Sequence, residues 1–288
     1  MDYILITDFH RLYKEKGLSI EVKKIFQKII YDYYKQSGRK FPFREKIKPY
    51  YVLVSEIMLQ QTQTSRVSEK FLSFIEKFPD FNVLANADLD EVLKAWQGLG
   101  YNRRAVALKN IAEIIIKDYQ GNLPQDVETL KDFPQIGHNT ASSIVSFAFN
   151  KPTYFIETNI RRVYIYFFFP GRDDVDDKEI MELSKKTADN QNPREWYYAL
   201  MDYGVMLKKT HPELNKRSKH YRKQKKFKGS SRQLRGKVLK LVLKKSEIYL
   251  EELYKELKFE TKKINKVIKQ LEKEGFLIQK DNRISVSK

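Results

Sequence analysis

Phe133-Pro-Gln-Ile-Gly-His-Asn-Thr-Ala141 is the stretch on which the fold turns. Pro134 cannot sit inside a helix and Gly137 allows a tight bend, so these residues predict a turn feeding a helix that begins near His138. The first amides of such a helix lack internal partners and lie at the positive end of its dipole. A nucleic-acid phosphate fits that position, although an ordinary loop-to-helix junction would have the same sequence.

Around this turn, residues 20–207 read as short helices with brief connections. Residues 22–34, 66–78, 90–97 and 104–119 repeat apolar side chains at i, i+3, i+4 spacing, the pattern of amphipathic helices. Pro42, Pro49, Pro79, Pro124 and Pro134 fall between these segments, where they start or stop helices. Alternating strand patterns are scarce, so the expected class is all-α.

After residue 207 the texture changes. Residues 208–228 carry ten Lys or Arg against one acid, Glu213. They read as a basic linker, either solvated or lying along phosphates. From Ser231 the periodicity returns, with residues 234–243, 250–257 and 262–274 as three helices. Ile264, Val267, Ile268 and Leu271 share one face of the third, Gly275 ends it, and residues 276–286 read as a hairpin turning at Asp281-Asn282. Three helices and a hairpin predict a small winged-helix-like α+β domain, a fold used for DNA and for protein contacts alike. The expected organisation is an N-terminal extension (1–19), a helical domain (20–207), a basic linker (208–230) and the winged-helix-like domain (231–288).

A net charge of +18 over 288 residues is costly in self-repulsion unless a polyanion is the normal partner, which favours nucleic acid. The hydrophobic fraction of 41% supports a real core, and no apolar run reaches the roughly 18–20 residues of a membrane span. No basic region followed by a long apolar core opens the chain, so the expectation is a cytoplasmic, nucleoid-associated protein without a membrane partner. With no cysteine, the chain cannot build a disulfide, a thiolate nucleophile or a cysteine-ligated zinc or iron–sulfur site. His10, His138, His211 and His220 are scattered without metal-ligand spacing, so no cofactor is expected.

Two carboxylates carry the chemistry. Glu56 lies among Val52, Leu53, Val54, Ile57, Met58 and Leu59, surroundings that desolvate a carboxyl, raise its pKa and fit it to donate a proton. A salt-bridged or first-turn glutamate is the plainer alternative. Gln60-Gln-Thr62 follows, with uncharged groups able to hydrogen-bond base edges or simply to cover a helix end. Glu157 precedes Thr158-Asn159, read as an N-cap pair, and then Ile160-Arg-Arg-Val163. Helix-end amides and Arg161 or Arg162 are expected to keep Glu157 ionised, so that it could stabilise an oxocarbenium-like transition state. A simple capping residue would look the same.

Residues 20–207 resemble the helix-hairpin-helix DNA glycosylase superfamily, in its adenine glycosylase and endonuclease III branch. The resemblance rests on Phe41-Pro-Phe-Arg44, Ser55-Glu-Ile-Met-Leu-Gln-Gln-Thr-Gln63, Trp96-Gln-Gly-Leu-Gly-Tyr101, Pro134-Gln-Ile-Gly-His-Asn-Thr-Ala141, Glu157-Thr-Asn-Ile-Arg-Arg-Val163 and Ala199-Leu-Met-Asp-Tyr-Gly204. It implies a two-lobed fold that binds double-stranded DNA holding a lesion or mismatch and flips the target base out of the stack. It further implies that Glu56 protonates the base, that Glu157 is the second catalytic carboxylate, and that Asn159 supports it. Gln61 and Thr62 would probe the opposite base, the Gly100-Tyr101-Asn102 loop would wedge the duplex, and Gln60 and Arg103 would be further DNA contacts. Gln135, Gly137, Asn139 and Thr140 would hold the phosphate, with hairpin carbonyls near Phe133 and Ile136 as a place for Na+ or K+.

The sequence also departs from that pattern. Glu157 stands where the superfamily has Asp, Gln135 where its hairpin has Gly, and Asn102 where its loop has a second Tyr. Asn139 stands where bifunctional members carry the Schiff-base lysine, which argues against a lyase step. The four-cysteine motif expected after Gly204 is missing, and an oxidised-guanine reader is not recognisable. The expected protein is a monomeric, monofunctional glycosylase without an iron–sulfur cluster, acting first on adenine opposite 8-oxoguanine or guanine. A T/G or U/G mismatch enzyme, or a non-catalytic DNA-binding protein, are the alternatives.

Overall fold

The computed structural model describes residues 2–223 and 226–287. In chain order its first helices are α1 (Asp2–Lys16), α2 (Ile20–Ser37), α3 (Pro42–Glu45), α4 (Pro49–Leu59), α5 (Thr64–Lys77), α6 (Phe81–Asn86), α7 (Leu89–Trp96) and α8 (Arg103–Tyr119). There follow α9 (Val127–Lys131), α10 (His138–Phe149), α11 (Thr158–Phe168), α12 (Asp177–Thr187) and α13 (Pro193–Thr210). The C-terminal part holds α14 (Ser231–Lys245), β1 (Glu247–Tyr249), α15 (Leu250–Glu256), α16 (Thr261–Lys273), β2 (Leu277–Lys280) and β3 (Arg283–Val286). Helix starts follow local chemistry. Ser19, Asp80 and Asp126 each accept a hydrogen bond from the amide three residues on, and α3, α4 and α13 open on prolines. Among the described residues no helix is long and apolar enough to cross a membrane.

The chain forms two compact units, as an all-α, two-lobed protein should. One comprises the chain up to Glu56 with Pro124–Arg222, the other Ile57–Leu123 with the chain from Lys223. The core of the first is aromatic: Phe26 meets Phe167 at 5.1 Å, Phe168 at 5.0 Å and Trp196 at 5.7 Å. Phe9 of α1 is buried in the same core, so the N-terminal residues contribute to it. Helix α13 packs closely on α11, and Gly204 makes that approach possible: a Cβ there would meet the Asn159 carbonyl oxygen at 2.3 Å. The basic stretch begins folded, because Leu214 is buried in this core and Ser218 bridges to Val175. Residues 224 and 225 of that stretch lie outside the described residues.

In the second unit α5–α8 enclose Phe71, Phe74, Trp96, Leu108 and Ile111. Its C-terminal part has three helices and a hairpin, in which β2 and β3 turn at Asp281 and Asn282, both at positive φ (43° and 61°). A third strand, β1, was not evident in the sequence, since three residues are too few to show alternation. It pairs antiparallel with β3, giving the order β1-β3-β2. Helix α14 packs against both α16 and α7.

Candidate active site

Glu56 lies in the last turns of α4, with the apolar side chains of Leu53, Val54 and Val52 fully or almost fully buried around it. Its own side chain keeps partial access to solvent. Burial pushes the carboxyl up to about 7, against the downward pull of the Ser143 hydroxyl and, more weakly, the Arg44 guanidinium. The Ser143 hydroxyl donates to Glu56 Oε2 at 2.5 Å. Glu157 adds a further upward push as a like charge. The result is an acid that holds its proton near neutrality and has a route to release it.

Arg44 is itself immobilised. It donates to both oxygens of the buried Asp202, stacks over the Tyr198 ring at 4.2 Å, and shares Asp202 with Arg39. Two guanidiniums on one deeply buried carboxylate make a rigid, net positive support beneath Glu56.

Glu157 differs from the expectation in two respects. It is itself the N-cap of α11, so Thr158-Asn159 are the first helical residues rather than the cap: its Oε1 accepts from the Asn159 amide at 2.8 Å and the Ile160 amide at 3.2 Å. Its Oε2 accepts from the Asn159 side-chain amide at 3.2 Å. Despite these bonds its pKa is raised, not lowered. Burial outweighs the two backbone amides, the Asn159 side chain and the Arg162 charge, each of which favours the ionised form. The charge near it belongs to Arg162, because Arg161 faces away in a bidentate pair with Asp177. Arg162 is buried and donates from one nitrogen to Asn159 Oδ1 at 2.8 Å and to the Gly204 carbonyl at 2.6 Å. Asn159 is thereby held on both sides, by Arg162 and by Glu157.

The turn from Phe133 leads into α10 at His138, with Gly137 at its N-cap. Space beside Gly137 is open, since a Cβ there would meet nothing within 4 Å. Gln135 stands at φ 61°, a left-handed conformation that suits glycine and strains glutamine. Gln135, Gly137 and Asn139 are exposed and Thr140 is half-buried, while Phe133 and Ile136 anchor the turn in the core. The Asn139 side chain donates to the Ile156 carbonyl at 2.8 Å, which ties the start of α10 to the backbone just before Glu157.

The second unit holds the other sequence candidates. Gln60 and Thr62 are half-buried, Gln61 is exposed, and Tyr101 and Asn102 are half-buried with Arg103 exposed. Gln61 (φ 53°), Gly100 (φ 73°) and Tyr101 (φ 47°) all take left-handed conformations. What holds them is Arg104, which is buried. One of its nitrogens donates to the carbonyls of Ile57, Met58 and Gln60, the other to Thr62 Oγ1 and the carbonyls of Leu99 and Gly100. A single guanidinium therefore closes the end of α4 and fastens both loops together.

The sequence reading did not single out Ser143, Arg104 or Asp202. Ser143 had a weak signal, being one turn beyond Asn139, but it is one of three serines in α10. Arg104 had none, because it reads as one more charge at the start of α8. Among the described residues no cluster of three or more His, Asp or Glu side chains could hold a metal ion.

Residues 54–189 match the family described as HhH-GPD superfamily base excision DNA repair protein. In these residues the chain is similar to the HhH-GPD superfamily. The chain is 34% identical over 197 residues to the adenine DNA glycosylase of Buchnera aphidicola subsp. Baizongia pistaciae, covering 66% of this chain and 55% of that protein. It is 31% identical over 194 residues to the adenine DNA glycosylase of Homo sapiens, covering 63% of this chain and 36% of that protein. Among solved structures, a thermostable thymine-DNA glycosylase superposes with a TM-score of 0.57 at 26% identity, over 64% of this chain and 86% of that one. The chain spans about half the length, or less, of the curated relatives it matches.

Proposed function

We propose that this protein is a monofunctional DNA N-glycosylase acting on a mismatched or damaged base in duplex DNA, adenine opposite 8-oxoguanine or guanine in the first place. The observation that carries this reading is Glu56, a carboxyl pushed up to about 7 and hydrogen-bonded to Ser143. Glu56 protonates a ring nitrogen of the flipped base, the glycosidic bond breaks with its electron pair leaving on the base, and positive charge develops on the sugar. Glu157 in its ionised form stabilises that charge: two backbone amides, the Asn159 side chain and Arg162 favour that form, and burial opposes it. The two carboxyls act on each other as like charges. Water adds to the sugar and an abasic site remains. Asn139 offers an amide engaged with Ile156 instead of an amine, so no Schiff base forms with the sugar.

In this reading Gln60, Gln61, Thr62, Tyr101, Asn102 and Arg103 contact the duplex around the extruded base. Gln135, Gly137, Asn139 and Thr140 receive a phosphate, aided by Na+ or K+ on hairpin carbonyls near Phe133 and Ile136. The protein works as a monomer, in the cytoplasm on nucleoid DNA. The structural likeness to a thymine-DNA glycosylase supports a second reading, in which the same site removes thymine or uracil opposite guanine. A single-turnover panel separates the two: labelled duplexes with A opposite 8-oxoguanine, A opposite G, T opposite G and U opposite G, cleaved by alkali after incubation. Strand breaks in the adenine duplexes are expected. Breaks confined to the T and U duplexes establish the second reading, and intact strands in all four, with binding demonstrated, refute both.

A further inference from the structure

Helix α16 has two faces of opposite character. Ile264, Val267, Ile268 and Leu271 are buried against the C-terminal core. On the opposite side Lys262, Lys266, Lys269 and Lys273 are all exposed. Their spacing of i, i+4, i+7 and i+11 aligns them within about 60° of one another at 3.6 residues per turn, along roughly 16 Å of helix.

Lysines on a solvated face normally alternate with acids that pair with them, and here the acids are engaged elsewhere. Glu260 pairs with Lys263 at 2.9 Å, Glu272 accepts the Gln279 amide at 3.3 Å, and Glu274 pairs with Arg235 at 2.7 Å. Among the described residues none of the four stripe lysines meets a carboxylate within 4.0 Å. A row of four unneutralised ammonium groups is self-repelling on its own. An anionic lattice of matching linear form removes that repulsion, and the stripe lacks the flanking apolar side chains that would bury in a lipid interface.

We propose that the α16 lysine stripe is a backbone-binding rail for double-stranded DNA, engaging phosphates of the duplex whose bases the Gln61 and Tyr101 loops approach. It rests on the reading that duplex DNA is the partner of this protein. The rail and those loops belong to one compact unit. Helix α14 packs on α7, and Arg232 at the start of α14 donates to the Tyr101 hydroxyl at 3.3 Å. Ammonium groups neutralise phosphates as point charges without reading bases, so the rail adds affinity independent of sequence.

The test uses the full chain and a fluorescein-labelled 24-base-pair duplex of normal pairs, with affinity measured across 50–200 mM KCl. The quadruple variant Lys262→Gln, Lys266→Gln, Lys269→Gln, Lys273→Gln should lower the slope of log affinity against log salt by about 3–4, at roughly 0.9 per phosphate released. Replacing the same four by Arg should restore it. Removing four exposed lysines elsewhere (Lys24, Lys117, Lys178 and Lys186 to Gln) should change the slope by less than one, which separates the rail from bulk charge. Glutamine is a good helix former and circular dichroism reports whether α16 persists. An unchanged slope in a folded quadruple variant overturns the proposal. So does loss of binding to phosphatidylserine vesicles with DNA affinity intact. Because the duplex carries no lesion, the measurement stands or falls apart from the glycosylase reading. If that reading holds, single-turnover excision at saturating protein is unchanged in the variant.

Discussion

The carboxylate pocket of the first unit and the paired loops of the second solve opposite problems with the same residue type. In the pocket, arginine supports acids: Arg44 is fixed on Asp202 below Glu56, and Arg162 is fixed on Asn159 beside Glu157. In the loops, arginine supports backbone: Arg104 gathers the carbonyls of two segments that would otherwise end unsatisfied. The pocket stores its function in shifted protonation and the loops store theirs in left-handed conformations at Gln61 and Tyr101. Damage to one should therefore be read in pH behaviour, and damage to the other in stability and DNA affinity.

The sharpest way to break this contrast is Glu56→Gln. It removes the proton donor and keeps the shape, so single-turnover excision should fall by about 10³-fold or more, while duplex affinity stays within a few-fold of wild type. The same substitution should stabilise the fold at alkaline pH. The folded Glu56 keeps its proton up to about 7, above the ordinary 4.5 of the unfolded chain, so stability declines as pH rises through that window. Glutamine removes the decline, a gain on the order of 2–3 kcal/mol above pH 8 in urea denaturation. A variant no more stable than wild type there would mean Glu56 is not held protonated.

Arg104→Met tests the other side. Leaving several carbonyls without their donor should cost about 2–4 kcal/mol in the same denaturation experiment and weaken duplex binding. The pH midpoint of any remaining excision should move little, because Arg104 bonds backbone carbonyls and Thr62 and not the Glu56 carboxyl. A shifted midpoint would show that the two regions are not separate.

How far the sequence reveals each region follows from the same difference. The helices of both units are visible as apolar periodicity, and Glu56 stands out as the one carboxyl inside the apolar run Val52-Leu-Val-Ser-Glu-Ile-Met-Leu59. The environment of Glu157 is only half legible, because the amides and arginine that favour ionisation are near in sequence, whereas the burial that raises its pKa comes from packing at a distance. The role of Arg104 is invisible in one dimension, since its partners come from residues 57–62 and 99–100. Strand β1 escapes for the same reason, being defined by its pairing with β3.

The smallest expected effect concerns the hairpin. Gln135→Gly relieves a left-handed residue and should raise stability by about 0.5–1 kcal/mol, even after the extra freedom glycine gives the unfolded chain. A loss of stability of that size would show that the Gln135 side chain contributes more than its backbone strain costs.

The central claim is that a protonated Glu56 breaks the glycosidic bond, and the pH dependence of single-turnover excision measures it most directly. With adenine opposite 8-oxoguanine as substrate, the rate should hold near pH 6 and fall about tenfold per pH unit above a midpoint near 7. A rate that stays flat from pH 6 to pH 9, in wild-type protein that binds the duplex throughout, would contradict it.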